Sequence, residues 1–233
     1  MVNIYKDKQE LAITFCDELF LLSKLSKKFN LALSGGSTPK IIFQELASNY
    51  KTKIDWEGIH LFWSDERCVP PDNAESNYGM TKKYLLDHLN IPVENIHRIK
   101  GENDPEVEAI RYSNEIINNI RLKSGLPIFD LIVLGLGEDG HTASIFPNQM
   151  RLLQSEKICE VAVHPSTKQK RITLTGKVIN NAEVVIFLVT GESKSEILKK
   201  ILVEKSKNLP AAQIHPATKN LKFIIDEAAA RML

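Results

Sequence analysis

The chain has 233 residues, of which 43% are hydrophobic and 25% charged, so it is long enough for a globular protein with a substantial core. Its formal net charge of +1 favours neither a nucleic acid nor an anionic membrane surface as a partner. Cys16, Cys68 and Cys159 have no regular spacing, which argues against a disulfide framework and against a thiolate metal site.

The first ten residues are polar and charged, which predicts that no signal peptide is present. No apolar run approaches the length of about 18 residues that a membrane span needs. The longest run, 182–189, contains Glu183 and has the length of a strand. We therefore expect a protein of the cytoplasm.

Short β-rich apolar runs alternate along the chain with amphipathic stretches. Helices are predicted at 8–25, 39–49, 75–88, 104–123 and 194–204. Strands are predicted at 31–34, 59–63, 129–135, 158–163, 184–189 and 223–226. With no repeat or long linker, this alternation predicts one α/β domain over 1–233, with a mostly parallel sheet covered by helices on both faces. Such sheets bind ligands at the carboxyl ends of their strands.

A glycine-rich turn follows the first predicted strand. Gly35 and Gly36 allow positive φ and a close approach of the backbone to a ligand, Thr38 is a suitable N-cap, and Pro39 suits the first helical position. A helix N-terminus attracts anions, and the hydroxyl groups of Ser37 and Thr38 add donors. The same segment is equally consistent with a tight turn that binds nothing. Its glycine spacing matches neither a dinucleotide fingerprint nor a Walker loop, which argues against NAD and ATP.

Charged residues follow the second predicted strand at its carboxyl end. Asp65, Glu66 and Arg67 are consistent with a structural ion-pair cluster. The functional alternative places Asp65 or Arg67 near a reacting group, with Ser76 and Asn77 as further polar donors. The local sequence alone leaves both interpretations open.

The strongest local signal follows the third predicted strand, where three glycines surround Asp139 and His141. Histidine titrates near neutral pH, and a carboxylate beside it can orient the ring and raise its basicity, which favours a general base. His164 and His215 are remote and lack metal-ligand spacing, so we expect no metal. The absence of a Gly-x-Ser-x-Gly elbow argues against a serine hydrolase.

Two cations lie in later segments. Arg171 precedes an apolar alternation rich in threonine, and Lys194 follows the next strand at a helix start. Taken singly, each is consistent with a surface cation. Together with the glycine-rich turn they complete a phosphate pocket, in which Arg171 binds through two hydrogen bonds and Lys194 acts as a point charge.

Taken together, these segments resemble the 6-phosphogluconolactonase family. The residues that match its pattern, in the same order along nearly the whole chain, are 34–39, 65–67, 69–70, 76–77, 135–147 and 171–173. The resemblance implies a Rossmann-like three-layer fold, shared with glucosamine-6-phosphate deaminase and ribose-5-phosphate isomerase. It also implies hydrolysis of 6-phosphogluconolactone in the oxidative pentose phosphate pathway. The implied partner is a small sugar phosphate, and no cofactor is implied.

The resemblance also implies a role for individual residues. His141 is similar to the base that activates water, and Asp139 to a residue that shapes or polarises it. The residues that are similar to the family's phosphate site are Arg171, Lys194 and the loop of Gly35, Gly36, Ser37 and Thr38. Arg67 steadies either the lactone or the oxyanion, and Asp65 belongs to the same catalytic group.

Two alternatives remain at this point. A glucosamine-6-phosphate deaminase carries a carboxylate after its histidine, whereas Phe146 occupies that place here. A sensor that binds sugar phosphate without turnover would use the same pocket, but the chain has no evident DNA-binding module and retains the histidine.

Overall fold

The computed structural model describes residues 1–233 as an α/β protein. Its strands are β1 (Val2–Tyr5), β2 (Phe29–Leu33), β3 (Ile59–Trp63), β4 (Asp65–Arg67), β5 (Leu122–Lys123), β6 (Leu126–Pro127), β7 (Leu131–Leu134), β8 (Cys159–Val163), β9 (Lys170–Leu174), β10 (Val184–Val189) and β11 (Leu221–Asp226). Its α-helices are α1 (Lys8–Ser23), α2 (Ser37–Asn49), α3 (Asn77–Tyr84), α4 (Pro105–Asn119), α5 (Gly176–Asn180), α6 (Ser195–Leu202) and α7 (Glu227–Ala230). Short 3₁₀ turns connect several of them.

A six-stranded sheet with the order β1-β11-β10-β7-β2-β3 forms the centre of the fold, and all its pairings are parallel. Its inner strands are almost continuously apolar and buried, as expected for a sheet that is covered on both sides. The predicted α/β class with a mostly parallel sheet is therefore confirmed.

The direction of the chain across this sheet decides where a ligand binds. From β1 to β2 to β3 the chain moves towards one edge, and from β3 to β7, β10 and β11 it moves back towards the other. Right-handed crossovers then place α1 and α2, which contact each other, on one face, and α6, which connects β10 to β11, on the opposite face. Beyond the carboxyl ends of β2 and β7 the loops consequently diverge and leave a crevice.

A second sheet, antiparallel and three-stranded in the order β4-β9-β8, lies beyond the end of β3. Ser64 alone separates β3 from β4, and its backbone bonds to both sheets, to Leu33 and to Leu174. The strand predicted at 158–163 exists as β8 but belongs to this small sheet. The side chains of β4 and β9 are thereby placed above the crevice.

The predicted element bounds differ from the observed ones mainly at helix ends. Thr38 was expected to be the N-cap of the second helix, and this is wrong. The helix already begins at Ser37, because Gly36 adopts φ +114° and turns the chain one residue earlier. The hydroxyl group of Thr38 instead lies 2.8 Å from that of Thr190. The helix predicted from residue 75 begins at Asn77, with Ser76 as its N-cap.

No helix combines the length and the apolar character that crossing a membrane requires. The three cysteines are free thiols. Burial, with the nearby Glu66 charge adding to it, raises the pKa of the Cys68 thiol to about 11, so this thiol is not an activated nucleophile.

Two neighbouring histidines lie at the β3 edge of the large sheet. His60 Nδ1 is 3.1 Å from His97 Nε2, and His97 Nδ1 is 2.7 Å from a Glu115 carboxylate oxygen. The His97 ring stacks on Phe62 at 4.3 Å. Burial lowers the pKa of both imidazoles, and with the help of the Lys28 charge it lowers that of His60 to about 4.

This pair predicts that the fold loses stability in mild acid. Below about pH 6.5 these two histidines bind protons more readily in the unfolded chain than in the folded protein. The free energy of unfolding therefore falls as the pH drops towards the pKa of the folded state. We expect the thermal midpoint to decline between about pH 7 and 5, and to decline less steeply in the His60→Gln variant. Equal slopes in the two proteins would contradict this assignment.

Candidate active site

A pocket of about 200 Å³ opens at the carboxyl ends of β2, β3 and β7, beneath the small sheet. Only two of its lining residues are hydrophobic, which suits a polar ligand better than an apolar one. The lining consists of Ser34, Gly35, Asp65, Arg67, Asn77, Gly135, Leu136, Gly137, His141, Ala143, Arg171 and Lys194.

The structure brings together most of the residues that the sequence singled out. The predicted residues in the lining are Gly35, Asp65, Arg67, His141, Arg171 and Lys194. Asp139 is held against His141 outside the lining. Gly36 and Ser37 are exposed beyond it, and Thr38 is engaged with Thr190. The glycine-rich loop therefore contributes Gly35 directly and the other three only at its margin.

His141 is fixed by a carboxylate of its own loop. Asp139 Oδ1 lies 2.6 Å from the imidazole Nδ1 and also accepts the backbone N–H of His141 at 3.1 Å. Gly140, with φ +81°, makes the turn that folds these two residues onto each other. Gly137 lies directly behind the ring, since a Cβ there would stand 2.1 Å from Nδ1.

The protonation of Asp139 determines which nitrogen of His141 can act as a base. Burial would raise the pKa of Asp139, but the hydrogen bonds and charge of His141 outweigh it, so the pKa lies below its usual value. Asp139 is then a carboxylate, which can only accept. Nδ1 must carry a proton, and in the neutral ring Nε2 bears the free lone pair.

Phe146 connects the base to a cation of the pocket. Its buried ring lies 4.8 Å from the His141 ring and 5.1 Å from that of His164. The Arg171 guanidinium lies 5.6 Å from the Phe146 ring centre, within the range of a cation–π contact. The Phe146 side chain thereby limits the movement of the His141 imidazole and of the Arg171 guanidinium.

Glu66 belongs to the structure rather than to the pocket. It is buried, and its carboxylate accepts the backbone N–H groups of Arg67, Asn77 and Tyr78 and the hydroxyl of Ser76. Burial raises the pKa of Glu66, while these backbone hydrogen bonds oppose the increase. The carboxylate satisfies the start of α3, so Glu66 has a structural role, but through helix N–H groups and not through the ion-pair cluster that was predicted.

Asp65, by contrast, faces the pocket. Its Oδ2 accepts the hydroxyl of the buried Ser144 at 2.6 Å, and no group of the chain donates to its Oδ1. The backbone N–H of Ser144 is in turn held by Thr173 Oγ1 at 3.2 Å. The loop that carries His141 is thus bonded to both β4 and β9.

Arg67 and Arg171 are directly opposite each other on β4 and β9. Like charges in this arrangement repel. The Nε–H group of each is buried without a partner, although Arg67 also donates through Nη1 to the Glu75 carbonyl. Burial, followed by the Arg67 charge, lowers the pKa of Arg171. Two adjacent cations with unused donors form a site that an anion would stabilise.

Lys194 adds a third cation from the loop after β10. Its Nζ lies 3.8 Å from a carboxylate oxygen of Glu138, an exposed residue outside the lining. An ion pair of this length whose carboxylate is exposed is weak and easily displaced. Within the lining itself, three cations face one carboxylate, that of Asp65.

Several residues of the pocket lining were not predicted as site residues. Leu136 and Ala143 carry no chemical signal, and their place depends on the loop after β7. Asn77, which was predicted as a donor, uses its amide nitrogen to donate to the Asp65 backbone carbonyl. Ser76 is likewise turned inward, towards Glu66 and Gly79. The remaining missed residues are Ser34, Gly135 and Gly137.

Comparison with known proteins identifies the family. A family model described as glucosamine-6-phosphate isomerases/6-phosphogluconolactonase matches residues 6–223. A 6-phosphogluconolactonase of Haemophilus influenzae is 45% identical over 219 residues, which cover 93% of this chain and 92% of the relative. Among solved structures, a devB protein is 39% identical with a TM-score of 0.95, over 99% of both chains. A 6-phosphogluconolactonase from Trypanosoma brucei is 28% identical with a TM-score of 0.88, over 100% of this chain and 98% of its own. The chain therefore belongs to the family of glucosamine-6-phosphate isomerases and 6-phosphogluconolactonases.

Proposed function

We propose that this protein hydrolyses 6-phosphoglucono-1,5-lactone to 6-phosphogluconate, as a step of the oxidative pentose phosphate pathway. The observation that carries the proposal is an imidazole fixed by a carboxylate in the same polar pocket as three cations. The proposed substrate has the two complementary features, an electrophilic ester carbonyl and a phosphate. The names of the relatives point to the same reaction.

The cations form the phosphate end of the proposed site. Arg67 and Arg171 each hold a buried, unpartnered Nε–H and repel each other without an anion between them. A phosphate dianion supplies acceptors for the terminal Nη groups of the two arginines and cancels the repulsion. We therefore assign Arg67 to phosphate binding, together with Arg171 and Lys194. Backbone N–H groups of Gly36, Ser37 and Thr38 lie at the margin, at the start of α2.

The base acts at the other end of the substrate. With Nδ1 donating to Asp139, His141 Nε2 takes a proton from water as the water oxygen bonds to C1. The carbonyl electrons move onto its oxygen. When they return, the bond between C1 and the ring oxygen breaks, and His141 returns the proton to the departing oxygen. Water is consumed, and the open-chain acid is formed.

The developing oxyanion needs donors that are already in place. Gly35 and Leu136 line the pocket, and their backbone N–H groups donate to no group of the chain. We assign them to the carbonyl oxygen. Because the phosphate fixes the far end of the substrate, the carbonyl is presented to these donors and to His141 together.

The deaminase alternative is weakened by Phe146. This residue, which occupies the place of the deaminase carboxylate, is fully buried and packs on His141, so no acid stands there to assist ring opening. A sensor without turnover would have no use for an imidazole whose Nδ1 proton is fixed.

The first test removes the base. We expect His141→Ala to lower turnover about 10²- to 10⁴-fold on freshly generated lactone, because proton transfer then falls to solvent. The assay follows acid release at mildly acidic pH against a control without enzyme, since the lactone also opens spontaneously.

His215→Ala serves as the matched control, because His215 is exposed and lies outside the pocket. It should turn over substrate like the parent protein. Near-parental turnover by His141→Ala would contradict the assignment of the base.

The second test separates the phosphate site from the chemistry. Arg171→Ala should lower kcat/KM for the phosphorylated lactone by about 10- to 100-fold, the worth of one or two charged hydrogen bonds. With unphosphorylated glucono-1,5-lactone the same variant should match the parent protein.

Arg151→Ala is the control here, since Arg151 is exposed and paired with Glu160 outside the pocket. If Arg171→Ala slowed both lactones equally, Arg171 would not be a phosphate ligand.

A further inference from the structure

Asn77 is one of the polar residues of the pocket to which the proposed mechanism gives no role. It is the first residue of α3, only 3% of its surface is exposed, and it forms part of the pocket wall. Its backbone N–H donates to Glu66 and its carbonyl accepts the hydroxyl of Thr81. The backbone is therefore fixed from both sides, and the side chain projects from a rigid point.

The hydrogen bonds determine which way the amide faces. Its Nδ2 lies 2.9 Å from the backbone carbonyl of Asp65, which can only accept, so the nitrogen must occupy that position. The acceptor Oδ1 therefore occupies the other position. No group of the chain donates to Oδ1, and it is not among the polar atoms that are sealed from solvent without a partner. Oδ1 is thus an unused acceptor that is open to the pocket.

Gly35 leaves the space that this oxygen occupies. A Cβ at Gly35 would stand 1.8 Å from Oδ1, so only glycine allows the amide to lie there. Asp65, whose backbone carbonyl holds the Asn77 amide, also lines the pocket, and its Oδ1 receives no hydrogen bond from the chain. The side chains of Asn77 and Asp65 therefore offer acceptors, whereas those of Arg67 and Arg171 offer donors. A wall of acceptors repels a phosphate and fits hydroxyl groups.

We propose that Asn77 Oδ1 accepts a hydrogen bond from one ring hydroxyl of the sugar lactone, and that this contact selects hydroxylated substrates. The proposal rests on the proposed function, whose substrate carries hydroxyls at C2, C3 and C4. A site built to bond a hydroxyl discriminates strongly against an analogue that lacks it, because the buried acceptor is then left unpaired. The contact also sets the orientation of the ring, with its hydroxyls towards Asp65 and Asn77 and its phosphate towards the arginines.

The test combines a change in the protein with a change in the substrate. The parent protein and Asn77→Ala are assayed on 6-phosphogluconolactone and on its 2-deoxy, 3-deoxy and 4-deoxy forms. We expect one deoxy form to lower kcat/KM of the parent protein by about 10- to 100-fold. Asn77→Ala should show the same loss on the full substrate and no further loss on that deoxy form.

Ser76→Ala is the matched control for a purely structural effect. Ser76 is the neighbouring buried residue and caps the same helix, but it does not line the pocket. Its loss should lower the thermal midpoint and leave the discrimination between full and deoxy substrates intact. If Asn77→Ala slowed all four lactones by one common factor, or none of them, the proposal would be overturned.

The same cycle is measured on binding, with 6-phosphogluconate and its deoxy forms by calorimetry. This readout does not need turnover. Absence of lactonase activity in the parent protein would sink the proposed function alone, whereas the binding cycle would still decide whether Asn77 reads a hydroxyl. If the loss of affinity caused by Asn77→Ala simply added to the loss caused by removing each hydroxyl, the contact would be ruled out.

Discussion

All six strands of the large sheet end at one edge, and the direction of the crossovers reverses between β2 and β7. This constraint determines the rest of the molecule. Loops that leave towards opposite faces cannot fill the space between them, so a crevice remains beyond the ends of these strands. Ser34 Oγ, which bonds to the Val133 carbonyl at 2.8 Å, ties the two strand ends together. The glycine-rich turn after β2 and the loop of His141 after β7 therefore lie side by side.

The small antiparallel sheet completes the site by covering this crevice. Continuation of β3 into β4 through Ser64 places Asp65 and Arg67 over the strand ends, and pairing with β9 adds Arg171. This arrangement brings together two like charges, Arg67 and Arg171, whose Nε–H groups are buried without a partner. Such a pair is a poor element of stability and a good receptor for a dianion.

The pocket also separates the types of hydrogen-bonding group. Arg67 on β4, Arg171 on β9 and Lys194 after β10 supply cations, the side chains of Asp65 and Asn77 supply acceptors, and the loop after β7 supplies the imidazole. Each group is held by a partner that is not itself in the lining: Glu66 for Asn77, Asp139 for His141 and Ser144 for Asp65. A small polar substrate meets fixed donors and acceptors, so its orientation is set before any bond changes.

The sequence by itself determined the α/β class, the parallel sheet and the pairing of Asp139 with His141, because these depend on local periodicity and on residues two positions apart. The family resemblance rested on motifs of the same local kind. Only the tertiary structure decided that Glu66 caps a helix while Asp65 faces the pocket, since neighbours on a strand point to opposite sides. It alone set Arg67 against Arg171, which are 104 positions apart in the chain, and turned the Asn77 acceptor towards Gly35. Such facts depend on the register between distant segments, which no local pattern encodes.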